Sequence, residues 1–161
     1  MAKATVLEVA ALVVLGLLGG VGSYALHPER PYLYRADEPL LEGEITMEMV
    51  LDQWGVDGVV WIDARMREKF EDGHLEGAVL LNEQEWDELL FSGTAETIFD
   101  SAEKPMVVYC GSYACKASKQ VAGRMQDEMG VPEVYFLRGG WRSIQEAGLK
   151  ASGGAAGGRG E

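Results

Sequence analysis

The two cysteines of the chain, Cys110 and Cys115, lie five residues apart and carry its strongest chemical signal. Cys110 ends an apolar run, and a helical pattern begins shortly after it, so a loop is expected between them. That loop consists of Gly111, Ser112, Tyr113, Ala114, Cys115 and Lys116. Backbone N–H groups and the positive end of the helix dipole meet in such a loop and lower the pKa of a thiol held there. Cys110 is therefore a candidate nucleophile, and the alternative is a small buried residue at a strand end.

The second cysteine, Cys115, has three possible roles at this stage. It packs as a small residue on the first turn of the helix, or it resolves a persulfide or sulfenic acid on Cys110 as one half of a redox pair. The third possibility is a resting disulfide, which requires the loop to bring the two Cα atoms within about 4.4–6.8 Å. An oxidising compartment favours that third role.

Short apolar runs alternate with helical patterns through the middle of the chain, and these elements must position the cysteine loop. The runs at 59–63, 78–82, 106–110 and 134–137 are typical of buried strands. Helical patterns cover 47–55 with Thr46 as its cap, 65–71, 83–91 with Trp86, Leu89 and Leu90 on one face, 115–129 and 141–147. This order predicts an α/β domain with a central, mostly parallel sheet of about five strands flanked by helices. Its chemistry is expected at the carboxyl ends of the strands.

Three segments of this body resemble the rhodanese-like domain family, in the order in which they occur in that family. The segment DAR at 63–65, followed by KF at 69–70 and GHLEGA at 73–78, is similar to the family's D-x-R…G-H-I-P-G-A segment. Tyr109-Cys110 and the loop after it resemble the active-site segment, and LRGGW at 137–141 resembles the closing G-G-[WF] segment. The resemblance covers about residues 45–147 and implies a rhodanese-like fold.

The resemblance implies a sulfurtransferase that carries sulfane sulfur as a persulfide on Cys110. A small sulfane-sulfur donor supplies the sulfur, and a thiol acceptor receives it. The backbone amides of Gly111 to Lys116 are expected to stabilise the thiolate or persulfide anion. Nothing in the sequence indicates a metal or an organic cofactor.

The other residues that match the family are expected to have mainly structural roles. Asp63 and Arg65 are interpreted as an ion pair near the loop, with a substrate role as the alternative. Lys69 replaces an acid of the family pattern and is a candidate for attracting the donor. His74 is expected to satisfy backbone groups at a turn, and Trp141 to anchor the core. Turns or close packing are expected at Gly73, Gly77, Gly139 and Gly140.

The chain of 161 residues carries a net charge of -12, with 26 acidic residues against 14 Lys and Arg. This excess of acid disfavours nucleic-acid binding and makes the domain a poor electrostatic trap for thiosulfate, which is a dianion. The family's loop often carries arginine, whereas this loop has no basic residue before Lys116. A phosphatase of the C-x5-R type is disfavoured as well, because Lys116 lacks the bidentate fork of arginine.

The run at 9–26 contains eighteen consecutive uncharged residues, which is long enough for a membrane-spanning helix. We interpret it as an uncleaved signal anchor after a short tail at 1–8, and a cleaved signal peptide is the alternative. The prediction is a single-pass membrane protein whose domain lies on the extracytoplasmic (periplasmic) side. Residues 27–43 are interpreted as a linker, 44–149 as the domain and 150–161 as a flexible Gly/Ala-rich tail.

Three functions are compatible with these features. The leading hypothesis is a membrane-anchored, rhodanese-type sulfurtransferase with its persulfide on Cys110. The second is a thiol redox protein that uses Cys110 and Cys115 as a dithiol/disulfide pair. The third is a non-catalytic binding or sensing module built on the same fold.

Overall fold

The computed structural model describes residues 39–111 and 116–153, together with Val14 and Gly16. The chain divides into two units, Met1–Ala36 and Asp37–Glu161, and the fold described below is that of the second unit. The predicted tail at 1–8 lies outside the described residues, as do most of the predicted span at 9–26 and of the linker at 27–43. Within the part of the chain that is described, no helix has the length and apolar character needed to cross a membrane.

Five parallel strands form the central sheet, in the spatial order β1–β6–β5–β2–β4. Their bounds are Glu44–Ile45 for β1, Val60–Asp63 for β2, Val79–Leu80 for β4, Met106–Tyr109 for β5 and Val134–Leu137 for β6. A second, antiparallel pair joins β3 (His74–Leu75) to β7 (Ala151–Ser152). The predicted α/β class and the five-stranded parallel sheet are therefore confirmed.

Helices cover both faces of the sheet because each strand is apolar on both sides. Trp61 and Val107 pack with α1 (Met47–Gln53) and α6 (Gly140–Glu146) on one face. Ile62 and Val108 pack on the other face with α3 (Trp86–Leu89), α4 (Ala95–Asp100) and α5 (Lys116–Met129). A short helix, α2 (Arg67–Asp72), lies between β2 and β3 in the chain. Burial on both faces is the reason that the strands are continuous apolar runs rather than alternating patterns.

The helix predicted at 83–91 differs from the structure. Its apolar face is present, with Trp86 and Leu89 buried, but α3 ends at Leu89 and a π-helical turn follows at Leu90–Thr94. Gly93 in that turn has φ of 107°, a conformation that glycine adopts readily, and a further helix, α4, begins at Ala95. The sequence pattern missed α4 because the kink at Gly93 interrupts the helical periodicity.

The segment predicted to be a flexible tail, 150–161, begins with ordered structure. Ala151–Ser152 pairs with His74–Leu75, and Glu76 donates its N–H to the carbonyl of Lys150. A Gly/Ala-rich composition says little about a strand whose hydrogen bonds come from its backbone, so this pairing had no signal in the sequence. Residues 154–161 lie outside the described residues.

An ion pair between Glu44 and Arg138 ties β1 to the end of β6. The Glu44 carboxylate accepts hydrogen bonds from Arg138 Nη2 at 2.7 Å, Arg138 Nε at 3.1 Å and the Leu41 N–H at 2.9 Å. Burial alone raises the pKa of Glu44, but the hydrogen bonds from Arg138 and Leu41 outweigh it, so the pKa lies below its ordinary value of 4.5.

This depressed pKa predicts a pH-dependent contribution to stability. The folded protein holds Glu44 ionised more strongly than the unfolded chain does, so the stabilisation is present above about pH 4.5 and is lost as the pH falls through the folded pKa. Glu44→Gln is therefore expected to lower the free energy of unfolding by about 1 kcal/mol at pH 7. It is also expected to make the free energy of unfolding fall less steeply as the pH decreases below about 4.5. Urea unfolding at several pH values measures both effects, and an unchanged decrease at acid pH contradicts the prediction. The exposed carboxylate variant Glu133→Gln is the control.

Candidate active site

Cys110 directly follows β5, the middle strand of the sheet, at its carboxyl end. The residue is buried, with 2% of its surface exposed, and α5 begins six residues later at Lys116. Cys110 is disulfide-bonded, and Cys115 is the other cysteine of the chain. Gly111 is described and exposed, whereas Ser112, Tyr113, Ala114 and Cys115 lie outside the described residues. Cys110 therefore lies between the end of a strand and, six residues later, the start of a helix.

The backbone of Cys110 is fixed by the first turn of α6. The Trp141 N–H donates to the Cys110 carbonyl oxygen at 2.6 Å. Gly140 makes this approach possible, because a Cβ atom at that position would overlap the same carbonyl oxygen. Gly140 also has φ of +55°, in the left-handed region. Only glycine satisfies both conditions, so the glycine pair before Trp141 has a direct structural reason.

Asp63 and Arg65 form a buried, multiply hydrogen-bonded ion pair at the end of β2. Arg65 Nη2 donates to Asp63 Oδ2 at 2.6 Å, and Arg65 Nε donates to Asp63 Oδ1 at 2.9 Å. Arg65 Nη2 also donates to the Gly73 carbonyl at 2.7 Å. Burial lowers the pKa of Arg65, but hydrogen bonds and the charge of Asp63 outweigh it and raise that pKa above its ordinary value. The geometry is that of a structural ion pair that joins β2 to the turn before β3.

Aromatic rings enclose the Arg65 guanidinium on the face of the sheet opposite α5. Its carbon lies 4.3 Å from the centroid of the Trp141 ring and 5.6 Å from that of Tyr109. The Tyr109 hydroxyl accepts the Leu75 N–H at 3.2 Å. Burial, and then the negative charge of Asp63, raise the pKa of Tyr109 far above its ordinary value, so its hydroxyl stays neutral. Sequence reasoning did not identify Tyr109 as a member of this cluster.

On the α5 side of the sheet, Ser118 contacts the sulfur of Cys110. The Ser118 hydroxyl donates to Cys110 Sγ at 3.5 Å, and both residues are buried. Sequence reasoning also missed Ser118. A signal was present, because Ser118, Val121, Ala122 and Met125 occupy one helical face, and serine is the one hydroxyl among apolar neighbours.

The remaining residues of the family pattern have local partners. Lys69 forms an exposed ion pair with Asp72 at 3.2 Å, so its charge is partly balanced. His74 Nδ1 lies 2.8 Å from the Phe70 carbonyl oxygen, and the two rings stack with their centroids 3.7 Å apart. Gly77, Gly139 and Gly140 have φ in the left-handed region that favours glycine, whereas the backbone of Gly73 is extended, with φ of 160°.

A groove of about 710 Å³ runs along α5 from its first residue. It is lined by Leu41, Glu83, Lys116, Lys119, Gln120, Gly123, Arg124 and Asp127. Three of these side chains are basic and two are acidic, in a chain whose net charge is -12. The groove is therefore less acidic than the protein as a whole, and it begins where the cysteine loop ends.

The fold and the site together define an α/β protein with a cysteine at the carboxyl edge of a parallel sheet. The sequence model of the rhodanese-like domain family matches residues 46–147. Because this match covers more than half of the chain, the protein belongs to the rhodanese-like domain family. No curated protein matches the chain by sequence.

Solved structures of the same fold resemble the chain at low identity. The BH2092 protein from Bacillus halodurans has a TM-score of 0.52 at 21% identity, over 68% of this chain and 76% of that chain. The rhodanese-like domain of the Anabaena Alr3790 protein has a TM-score of 0.52 at 19% identity, over 75% of this chain and 89% of that chain. The As-Sb reductase from Leishmania major has a TM-score of 0.50 at 21% identity, over 65% of this chain and 77% of that chain. At these identities the likeness establishes the fold alone.

The contact between Gly140 and Cys110 predicts a strong effect of a single methyl group. Gly140→Ala is expected to lower the free energy of unfolding by about 2–3 kcal/mol, because the Cβ meets a backbone oxygen and φ is positive. Urea unfolding of the reduced protein measures this change.

The matched control is Gly123→Ala on α5, where a Cβ has nothing within 4 Å. Alanine is the better helix former, so this variant is expected to be as stable as the parent or more stable by up to about 1 kcal/mol. Equal losses in the two variants would show that the close approach of α6 to Cys110 is not a constraint.

Proposed function

We propose that the protein is a rhodanese-type sulfurtransferase that carries sulfane sulfur on Cys110 and passes it to a thiol acceptor. The observation that carries this proposal is the position of Cys110, which follows the middle strand and precedes α5 in a chain of the rhodanese-like family. The amino end of a fourteen-residue helix provides partial positive charge for an anionic sulfur. The backbone of Gly111 to Lys116 is proposed to supply the N–H donors.

The proposed reaction consists of two sulfur transfers. In the first, the Cys110 thiolate attacks the outer sulfur of a donor R–S–SH, the S–S bond of the donor breaks, and R–S⁻ leaves with the electron pair. Cys110 then carries the sulfur as Sγ–SH. In the second, an acceptor thiolate attacks that outer sulfur, the bond to Sγ breaks, and the electron pair returns to Sγ. The acceptor leaves as a persulfide, and the Cys110 thiolate is regenerated.

A persulfide or polysulfide is proposed as the donor class instead of thiosulfate. Two basic residues of the family pattern, Arg65 and Lys69, are ion-paired with Asp63 and Asp72. The charges of these two residues are thus partly balanced, and a protein of net charge -12 repels a dianion. The groove that starts at Lys116 is the proposed approach for the thiol acceptor.

Replacement of the sulfur carrier predicts loss of activity without loss of fold. With polysulfide as donor and a dithiol as acceptor, Cys110→Ala is expected to abolish the sulfide release that exceeds the protein-free reaction of the two reagents. A sulfide-release assay measures this, and circular dichroism checks that the variant is folded. Retention of the parent rate would rule out Cys110 as the carrier.

A second candidate function is a thiol redox activity, and the disulfide at Cys110 favours it. We propose Cys115 as the resolving residue. Its thiolate attacks Sγ of the Cys110 persulfide, a Cys110–Cys115 disulfide forms, and the outer sulfur leaves as HS⁻. A dithiol reductant restores both thiols, so the cycle converts sulfane sulfur to sulfide.

Single-turnover release of sulfide distinguishes this redox cycle from simple transfer. Protein loaded with polysulfide and freed of excess donor is expected to release about one sulfide per chain without added thiol. Cys115→Ala is expected to retain its sulfur until an acceptor thiol is added. If both proteins behave alike, Cys115 does not resolve the persulfide and serves in packing.

The membrane anchor at 9–26 is also a proposal, together with an extracytoplasmic position of the domain. Its support is the uncharged run of eighteen residues in the sequence. A compartment-dependent reporter fused to the carboxyl end tests it, because a cytoplasmic reporter signal contradicts this orientation.

A further inference from the structure

The contact of Ser118 with Cys110 has an energetic consequence that depends on the charge of the sulfur. Ser118 Oγ lies 3.5 Å from Cys110 Sγ, and 2% of each residue is exposed. A buried hydroxyl requires a hydrogen-bond acceptor to offset the loss of water. A thiol or disulfide sulfur is a weak acceptor, whereas a thiolate accepts a charge-assisted hydrogen bond. The hydroxyl therefore interacts most strongly when the sulfur is anionic.

Three polar residues are buried in the described part of the chain, and Ser118 differs from the other two. Asp63 is paired with Arg65, and Asn82 bonds to Glu85 and to the Arg65 carbonyl, so each belongs to a network of strong partners. Ser118 instead occupies an apolar helical face, where alanine would pack with less desolvation. Its hydroxyl is directed at the atom on which the proposed reaction takes place.

We propose that Ser118 is a catalytic residue whose hydroxyl stabilises the negative charge on Cys110 Sγ. This inference rests on the proposed function for its role in turnover. When the acceptor thiolate attacks the outer sulfur, the S–S bond breaks and its electron pair passes to Sγ, which becomes a thiolate. The Ser118 O–H donates to this leaving group, and no proton is transferred. The same hydrogen bond stabilises the free thiolate before it attacks the donor.

Other charged groups lie on the elements around Cys110, and the experiment must hold them constant. They are Asp63 and Arg65 after β2, Lys116 and Lys119 on α5, Arg138 after β6 and Arg142 on α6. Tyr109 precedes Cys110 on β5 and stays neutral, because burial and Asp63 raise its pKa. None of these groups changes when Ser118 is replaced, so a difference between Ser118 variants reports on the hydroxyl itself.

The test is a titration of the Cys110 thiol in reduced protein that carries Cys115→Ala, so that one cysteine remains. Thiolate absorbance is followed against pH, with the protein that carries both Cys110→Ala and Cys115→Ala as the blank for the tyrosines. Ser118→Ala is expected to raise the thiol pKa by about one unit and to slow sulfur transfer to the acceptor about tenfold. The control is Ser143→Ala, because the Ser143 hydroxyl bonds to the Arg138 and Gly140 carbonyls instead of the sulfur.

A second pair of variants separates the hydroxyl from packing. Ser118→Thr and Ser118→Val have the same shape, and only the first retains the hydroxyl, so the pKa is expected to be about one unit lower in the threonine variant. Equal thiol pKa values within this pair, or in Ser118→Ala and its parent, would overturn the role of Ser118. The titration does not require sulfur transfer. Failure of Cys110 to carry sulfur would therefore refute the proposed function separately.

Discussion

The hydrogen bond from the Trp141 N–H to the Cys110 carbonyl joins the carboxyl end of the central strand to the start of the last helix. It forms only because Gly140 lacks a Cβ and adopts a positive φ. The bond brings Trp141 over the Arg65 guanidinium, which in turn holds Asp63 and the Gly73 carbonyl. The ends of two adjacent strands and the start of α6 are thereby fixed relative to one another, and the backbone of the cysteine is fixed with them.

The two sides of the sheet have different roles at this edge. Tyr109, Trp141 and the paired Arg65 lie on the face covered by α1 and α6, where their contacts are structural. Cys110 packs with the apolar cluster on the opposite face, against α5. The polar surroundings of its sulfur come from the start of α5 and from Ser118. Cys110 and the Asp63–Arg65 pair thus contact different helices at this edge of the sheet.

Much of this fold is predictable from the sequence, because strands buried on both faces appear as continuous apolar runs. Val60–Asp63, Met106–Tyr109 and Val134–Leu137 lie within such runs, and Thr46 caps α1 as expected through its bond from the Met49 N–H. The two-residue strands β1, β3 and β7 lie outside such runs and were missed, whereas β4, of the same length, lies within the apolar run at 78–82. In the site, the family resemblance predicted the ion pair of Asp63 and Arg65, which the structure contains, and the position of Cys110 at a strand end was predicted from its apolar run. Ser118 was missed because the helical pattern shows only that it lies on the buried face of α5. Its contact with Cys110 depends on how α5 packs against the end of β5, which the sequence pattern does not show.

The proposed function requires that Cys110 carry sulfane sulfur as a persulfide. The intact mass of a protein that retains only this cysteine tests the requirement most directly. Cys115→Ala leaves Cys110 as the only cysteine, so no peptide mapping is needed. After reduction and exposure to polysulfide, the account predicts a gain of one sulfur atom, about 32 Da, that a thiol acceptor removes. An unchanged mass with every donor tested, or the same gain in protein that lacks both cysteines, would contradict it.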